Sequence, residues 1–510
     1  MDSVSLTGTG LTIEDVEQVA VRGAPVELAA DAVERMAAAR ALIDRAVASE
    51  TPTYGVNTGF GRFVDVAISR EDTGRLQLNL LRSHACGVGD PFPTEVVRGA
   101  MLLRANALAT GASGVRRDVV DLLLAMLAAG VHPVVPSRGS LGASGDLAPL
   151  AHLALPLVGE GRAELGGEVL GGADALSRAG LEPLVLEAKE GLALINGTQF
   201  MTAIGALVLV RAHRLARMAD IAAAQSVEAV RGSRTPFSPE IQALRPHPGQ
   251  TASAANLYAL LGDSEINESH RWCGRVQDAY SIRCSPQVHG AARDAIAYAR
   301  SVVAIEVNAA TDNPLVFADR GEVLSNGNFH GEPVAIALDT LKIALAELAG
   351  ISERRIERMV NPTMSEGLPP FLAEDGGLNS GFMIPHYVAA SLVAENKVLC
   401  HPASVDSIPT SAGQEDHVSM GATAAVHAWH VCGNVERVLA IELLCGAQGI
   451  DFLAPLRPGP GIAALHEALR RDSAHVHEDR SLSVEIELVA SRMRDGALLA
   501  DVETAVGALQ

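Results

Sequence analysis

Aromatic side chains are scarce in this 510-residue chain: Phe, Trp and Tyr make up 3% of it, although 48% of the residues are apolar. A core of that size has to be built from Ala, Leu and Val, a composition that favours close-packed helices. Lysine is nearly missing, with only Lys189, Lys342 and Lys397. None of them follows a glycine, which excludes a Walker-type phosphate loop. Positive charge is in deficit, the formal net charge being -20. That argues against nucleic acid and anionic membranes as partners, since both need clustered cations. Long apolar runs are also lacking. The longest, 147–158, is too short to span a bilayer and contains Pro149, His152 and Pro156. Met1-Asp2-Ser3-Val4 has no basic stretch leading into an apolar one, so no signal peptide is read there. The six cysteines are scattered without a C-x-x-C pair, which speaks against a zinc ribbon or disulfide framework and for free thiols in a reducing compartment. A mainly α, soluble, cytoplasmic protein is expected.

What the chain does have is a run of small residues between two prolines. Gly139-Ser140-Leu141-Gly142-Ala143-Ser144-Gly145-Asp146-Leu147-Ala148-Pro149 follows the turn at Pro136, and the prolines restrict the loop on both sides. At its centre the Gly145 nitrogen can attack the Ala143 carbonyl carbon, closing a five-membered ring with loss of water. Elimination of the Ser144 hydroxyl removes a second water and leaves an exocyclic methylidene, an electrophile made from the chain itself. Glycine is an unhindered nucleophile that tolerates unusual dihedrals. Ser144 supplies the leaving group, and Ala143 keeps its carbonyl accessible. The tripeptide alone is weak evidence, because Ala112-Ser113-Gly114 repeats it. That copy reads as a plain turn between helices at 93–109 and 116–129.

The whole run Gly-Ser-Leu-Gly-Ala-Ser-Gly-Asp-Leu-Ala-Pro-Leu-Ala-His resembles the signature of the ammonia-lyases and aminomutases that carry a methylidene-imidazolone group. Other segments resemble the same family, from about Leu11 to Asp451. Tyr54-Gly55-Val56-Asn57-Thr58-Gly59-Phe60-Gly61 is similar to its mobile loop, which implies that Tyr54 is the catalytic base. A tyrosine with the usual pKa of about 10 needs help from its surroundings to serve that role. Ser83-His84 and Gln414-Glu415-Asp416-His417 resemble the family members that act on histidine; those acting on tyrosine or phenylalanine tend to carry other residues there. The resemblance thus implies that His84 and Glu415 grip a substrate imidazole. It further implies that Asn196 contacts the prosthetic group or substrate, that Phe329 of Gly-Asn-Phe-His packs on the electrophile, and that Arg283 anchors the substrate carboxylate beside Gln277 and the catalytic Tyr280. A guanidinium fork suits such a carboxylate. Taken without the resemblance, Asn196 reads as a helix cap, Phe329 as core and Arg283 as a solvated charge.

The implied reaction is L-histidine to trans-urocanate plus ammonia, with no external cofactor and no metal: H-E-x-x-H is absent, and no cysteines lie near Glu415. Either the substrate amine or its imidazole could add to the electrophile. Two other readings stay open, a tyrosine or phenylalanine lyase or aminomutase of the same family and a non-catalytic helical scaffold. The implied fold is the ammonia-lyase/fumarase-like bundle of long central helices, assembled as a homotetramer with shared active sites. A boundary is placed between a 1–195 domain, carrying the Tyr54 and Ala-Ser-Gly loops, and a 196–510 long-helix domain. Helices are expected from the Thr12–Asp15 capping pattern to Val21, over Leu28–Ala46, Thr202–Val227, 285–307, 334–360 and 431–447, and near the C-terminus.

Overall fold

A computed structural model describes residues 3–49, 53–59, 66 and 68–510. Its first helix, Ile13–Ala20, begins where the capping pattern puts it: Asp15 N–H donates to Thr12 Oγ1 at 3.1 Å and Thr12 N–H to Asp15 Oδ2 at 2.9 Å. Both N-terminal donors are thereby satisfied without water. Ala30–Ala48 follows, burying Ala32, Met36, Ala39, Leu42 and Ile43 at helical spacing. Thr94–Ala109 is apolar nearly all round, and is buried accordingly against Ile13–Ala20, Ala30–Ala48 and Arg117–Ala129. Its two polar interior residues act as struts. Arg104 donates to the carbonyls of Ala193 (2.6 Å) and Asn196 (2.9 Å), and Asn106 to that of Val307 (2.9 Å).

Four helices are much longer: Gln199–Ala229, Ser285–Glu306, Glu332–Val360 and Gly421–Asp451. The last begins ten residues before the expected start at 431, because Gly421, Ala422 and Ala424 continue the helix without an apolar repeat to announce it. Strands are short. Val88–Pro91 pairs antiparallel with Pro136–Arg138, fixing the chain just before the Ala-Ser-Gly loop. Leu315–Phe317 and Glu322–Leu324 form a hairpin. No helix among the described residues is long and apolar enough to cross a membrane.

Two compact units emerge from the contacts. One comprises Met1–Val210, Ala299–Asp339 and Pro402–Val426; the other comprises Arg211–Tyr298, Thr340–His401 and His427–Gln510. The sequence reading cuts the chain once, at 195/196. The contacts cut it five times, four of them inside the long helices, since a helix of that length outruns a single core.

Candidate active site

The Ala-Ser-Gly loop is held from three directions, all within the first unit. The Asp146 N–H donates to the Gly197 carbonyl at 2.7 Å, and Gly145 bridges Gly197 in parallel. Gly145 has φ +75°, and a Cβ there would run into the Gly197 carbonyl oxygen; only glycine fits. From the second direction, the Leu141 and Gly142 carbonyls accept from Met420 N–H (2.8 Å) and Gly331 N–H (3.2 Å), and Ser419 Oγ donates to Gly142 O at 3.0 Å. The third hold is Asp146 itself. This fully buried carboxylate accepts from Ser140 Oγ (3.1 Å) and from Met201 N–H (2.9 Å) in the first turn of the Gln199–Ala229 helix. Its charge faces the positive end of that helix. Burial nonetheless dominates and pushes the carboxyl up to about 6, against those hydrogen bonds and the charge of Arg104.

Ala143, Ser144 and Gly145 stand here as ordinary residues, so the Ser144 hydroxyl represents the leaving group before ring closure. Among the described residues, the Ala143 carbonyl and Gly145 N–H take part in no hydrogen bond. These are the two groups that must meet. The Ser144 carbonyl accepts from Asn196 Nδ2 at 2.8 Å, and the Ser144 hydroxyl donates to Glu415 Oε1 at 2.8 Å. Asn196 Oδ1 is buried without a partner, a polar atom left over for a ligand or for the matured ring. Side chains, dihedrals and free backbone groups all fit a methylidene-imidazolone at this position.

Ser144 opens into a cleft of about 1450 Å³ lined by Tyr54, His84, Ala143, Asn196, Phe329 and Glu415, among others. Tyr54 sits in the turn Tyr54–Asn57 and is half-buried; Phe60 and Gly61 of the same motif lie outside the described residues. His84 ends the Thr73–His84 helix. Its Nδ1 contacts the Leu80 carbonyl at 2.9 Å, and a carbonyl requires a donor, so the neutral ring carries its proton there. Nε2 is left as an acceptor. Burial lowers the His84 pKa, with the Leu80 carbonyl and the Glu415 charge opposing, which keeps the ring neutral near pH 7. Glu415 is fixed by Thr410 Oγ1, which donates to Oε2 at 2.7 Å. A histidine nitrogen and a carboxylate therefore present two acceptors to one cleft.

Gln277, Tyr280 and Arg283 do not line this cleft. They belong to the second unit, where Gln277 and Arg283 line a separate cleft of about 880 Å³ with several other arginines. Tyr280 is 72% exposed, with the Arg283 guanidinium 4.8 Å from its ring centre. Arg283 Nε donates to the Asp278 carbonyl at 2.9 Å, while its terminal nitrogens make no hydrogen bond among the described residues. Sequence reasoning missed several residues of the first cleft: Asn313, Ser325, His330 and, as lining groups, Asp416 and His417. His330 and His417 stack with ring centres 5.9 Å apart, and His330 Nε2 lies 3.1 Å from the His417 carbonyl. The polar pair Asn313–Ser325 is itself joined at 3.2 Å. An Asn beside a proline in a hairpin offers no periodic signal, so nothing in the sequence marks it.

The arrangement defines a class, a lyase-type cleft in which an Ala-Ser-Gly loop faces a tyrosine and two polar acceptors. Comparison with known proteins agrees. The aromatic amino acid lyase family model matches residues 11–471. Histidine ammonia-lyase of Gloeobacter violaceus is 58% identical over 508 residues, covering 100% of this chain and 99% of that protein. The enzyme of that name from Anaeromyxobacter sp. strain K is 58% identical over 98% of this chain and 100% of its own length. Among solved structures, histidine ammonia-lyase from Trypanosoma cruzi superposes with a TM-score of 0.92 at 47% identity, covering 99% of this chain and 96% of that one. Tyrosine aminomutase from Streptomyces globisporus superposes at 0.95 with 39% identity, covering all of both chains. The chain belongs to the aromatic amino acid lyase family.

Proposed function

We propose that the protein eliminates ammonia from L-histidine to give trans-urocanate, using a methylidene-imidazolone matured from Ala143-Ser144-Gly145 and no external cofactor. The observation that carries this reading is the 2.8 Å contact between Ser144 Oγ and Glu415 Oε1, with His84 facing the same cleft. A ring held by Glu415 is thereby brought against the reactive carbon. When formed, the prosthetic group supplies an electron-poor carbon that draws electrons from the bound amino acid.

The chain's own residues do the rest. Asn196 donates to the Ser144 carbonyl, so negative charge gathering on that oxygen meets a fixed donor. The Tyr54 phenol oxygen takes the β-proton. The neutral substrate imidazole has one N–H, which Glu415 or His84 Nε2 accepts and which a phenyl ring lacks; leaving that acceptor unpaired is the cost of binding the wrong amino acid. Phe329 walls the cleft. Gln277, Tyr280 and Arg283 act from a neighbouring subunit, Arg283 clamping the carboxylate with its uncommitted terminal nitrogens. Active sites shared in this way make a homotetramer the functional form. The high TM-score to an aminomutase keeps a tyrosine substrate in play, because the fold is common to both activities. His84 and Glu415 favour histidine.

Near-ultraviolet absorbance during incubation with L-histidine tests the reading, with L-tyrosine and L-phenylalanine as parallel arms. A conjugated product from histidine alone is expected, from protein whose intact mass is short by two waters. Full calculated mass, or turnover of tyrosine in preference to histidine, overturns it.

A further inference from the structure

Within the second unit, far along the sequence from the residues of the cleft, two loops converge on a cluster that the reaction does not use. His475, His477 and Glu374 each bring a ligand atom to within 4.8 Å of the others. We infer that these three side chains form a binding site for a divalent transition ion of the zinc type.

The local sequence explains why they meet. Within His475-Val476-His477 the two imidazoles lie side by side, with ring centres 4.4 Å apart. Val476 is 5% exposed, and the Gln448 amide pins its backbone as a neighbouring strand would: Val476 N–H donates to Oε1 at 3.0 Å, and Nε2 donates to the Val476 carbonyl at 3.1 Å. The Glu374 loop is stitched to this stretch by Asn379, whose Nδ2 donates to the carbonyls of Glu374 (3.0 Å) and His477 (3.3 Å). The ligand positions are therefore set by backbone anchors, before any ion arrives.

Separations suit a small ion. Glu374 Oε1 lies 2.9 Å from His475 Nε2, and Glu374 Oε2 lies 3.2 Å from His477 Nδ1. Nitrogen and oxygen ligands about 2.0–2.1 Å from zinc at tetrahedral angles stand about 3.3–3.4 Å apart, so small rotations admit the ion. The outer ligand environment is also in place. Asp451 Oδ2 accepts from His475 Nδ1 at 2.6 Å, so that loss of the proton from Nε2 turns its lone pair toward Glu374; metal-bound histidines are commonly oriented by such a carboxylate. Asp451 is in turn held by His466 Nε2 (2.7 Å) and Arg470 (2.6 Å). Gln448 Nε2 also lies 3.2 Å from His475 Nε2, but its hydrogens are directed at the carbonyls of Val476 and Leu372. A cation between Nε2 and Oε1, a metal ion when it is bound and a proton otherwise, balances that carboxylate. His477 is 71% exposed at its side chain and Glu374 40%, leaving the outer face open for water as a further ligand. Three protein ligands and an open position form a set that zinc accepts. The site would tie the two loops together without touching the reaction.

Calorimetric titration of the full-length protein, stripped with chelator and returned to chelator-free buffer, tests this with Zn2+ alone. Co2+ serves as a second probe, because a low-symmetry site gives it an intense visible band. One site per chain is expected above the background of scattered surface histidines, together with a rise in thermal midpoint on adding zinc. His477→Ala and Glu374→Gln should each weaken binding at least about tenfold and cancel the thermal shift, and Asp451→Asn should weaken it about 10–100-fold. His247→Ala, an exposed histidine outside the cluster, should leave it unchanged. His477 is exposed enough that its variant should unfold like wild type in chelator, which separates ion loss from misfolding. Equal zinc binding by wild type and His477→Ala, or a wild type with no site of one-to-one stoichiometry, overturns the inference.

Discussion

Two copies of Ala-Ser-Gly lie in the same unit of this molecule, and only one faces the cleft. At 112–114 the Ala112 carbonyl accepts from Val316 N–H at 2.8 Å, Ser113 is 2% exposed, and Gly114 packs on Ile43 and Val316. At 143–145 the corresponding carbonyl is unengaged, the serine hydroxyl meets a carboxylate, and an amide donates to the serine carbonyl. Both glycines have a left-handed backbone, with φ of +70° and +75°. Dihedral freedom is thus shared, and it does not make a reactive loop. The difference lies in what each backbone group already has as a partner: the first turn spends its carbonyl on packing, the second keeps it available.

Swapping the serines should break the comparison most visibly. Ser144→Ala is expected to lower turnover by at least about 10³-fold and to give a mass that never loses two waters, with helical circular dichroism intact. Ser113→Ala should mature and turn over normally; intact-mass spectrometry reads both. The glycines separate chemistry from stability. Gly145→Ala should abolish maturation because its Cβ has no room beside Gly197. Gly114→Ala should cost about 1–3 kcal/mol in denaturant melts yet retain the prosthetic group.

Glu415→Gln keeps the volume and one acceptor but removes the charge that only the reactive copy has beside its serine. A fall of about 10²-fold in kcat/KM for L-histidine is expected, with a smaller change for any residual turnover of tyrosine. Equal losses on both substrates would deny Glu415 its role in selectivity. The smallest effect concerns pH. The folded-state pKa of Asp146, raised to about 6 from 3.8, means that the native protein binds the proton more tightly than the unfolded chain. Between about pH 4 and 6 its contribution to stability therefore falls as pH rises, and above 6 the loss is complete. Relative to Asp146→Asn, wild type should lose about 2–3 kcal/mol across that interval, read as the difference in chemical unfolding free energies at each pH.

Much of the site was legible because its residues come in dense, chemically odd clusters. Ser144 sits among glycines between prolines, and Glu415 beside Asp416 and His417; both converge on one cleft, as do Tyr54, His84, Asn196 and Phe329. Helix positions followed from apolar spacing wherever one face is buried, as in Ala30–Ala48. They failed at the front of Gly421–Asp451, where small residues carry no pattern. What could not be read was contact across long separations. Gln277, Tyr280 and Arg283 fall in the other unit, which no local spacing foretells. The role of Asp146 as the cap of a helix beginning at Gln199 depends on a fold-back between distant segments. Likewise, nothing in the sequence marks Gln448, although it holds Val476 through both backbone groups.

One consequence of the long reach of these contacts concerns time. The groups that address Ser144 are 52 and 271 residues downstream of it. On the ribosome, the serine emerges well before the asparagine, and the glutamate comes last. Under the proposed function, a nascent or truncated chain carries an open loop whose serine still lacks these two partners, and they reach it only after synthesis has passed residue 415 and the product has folded around it.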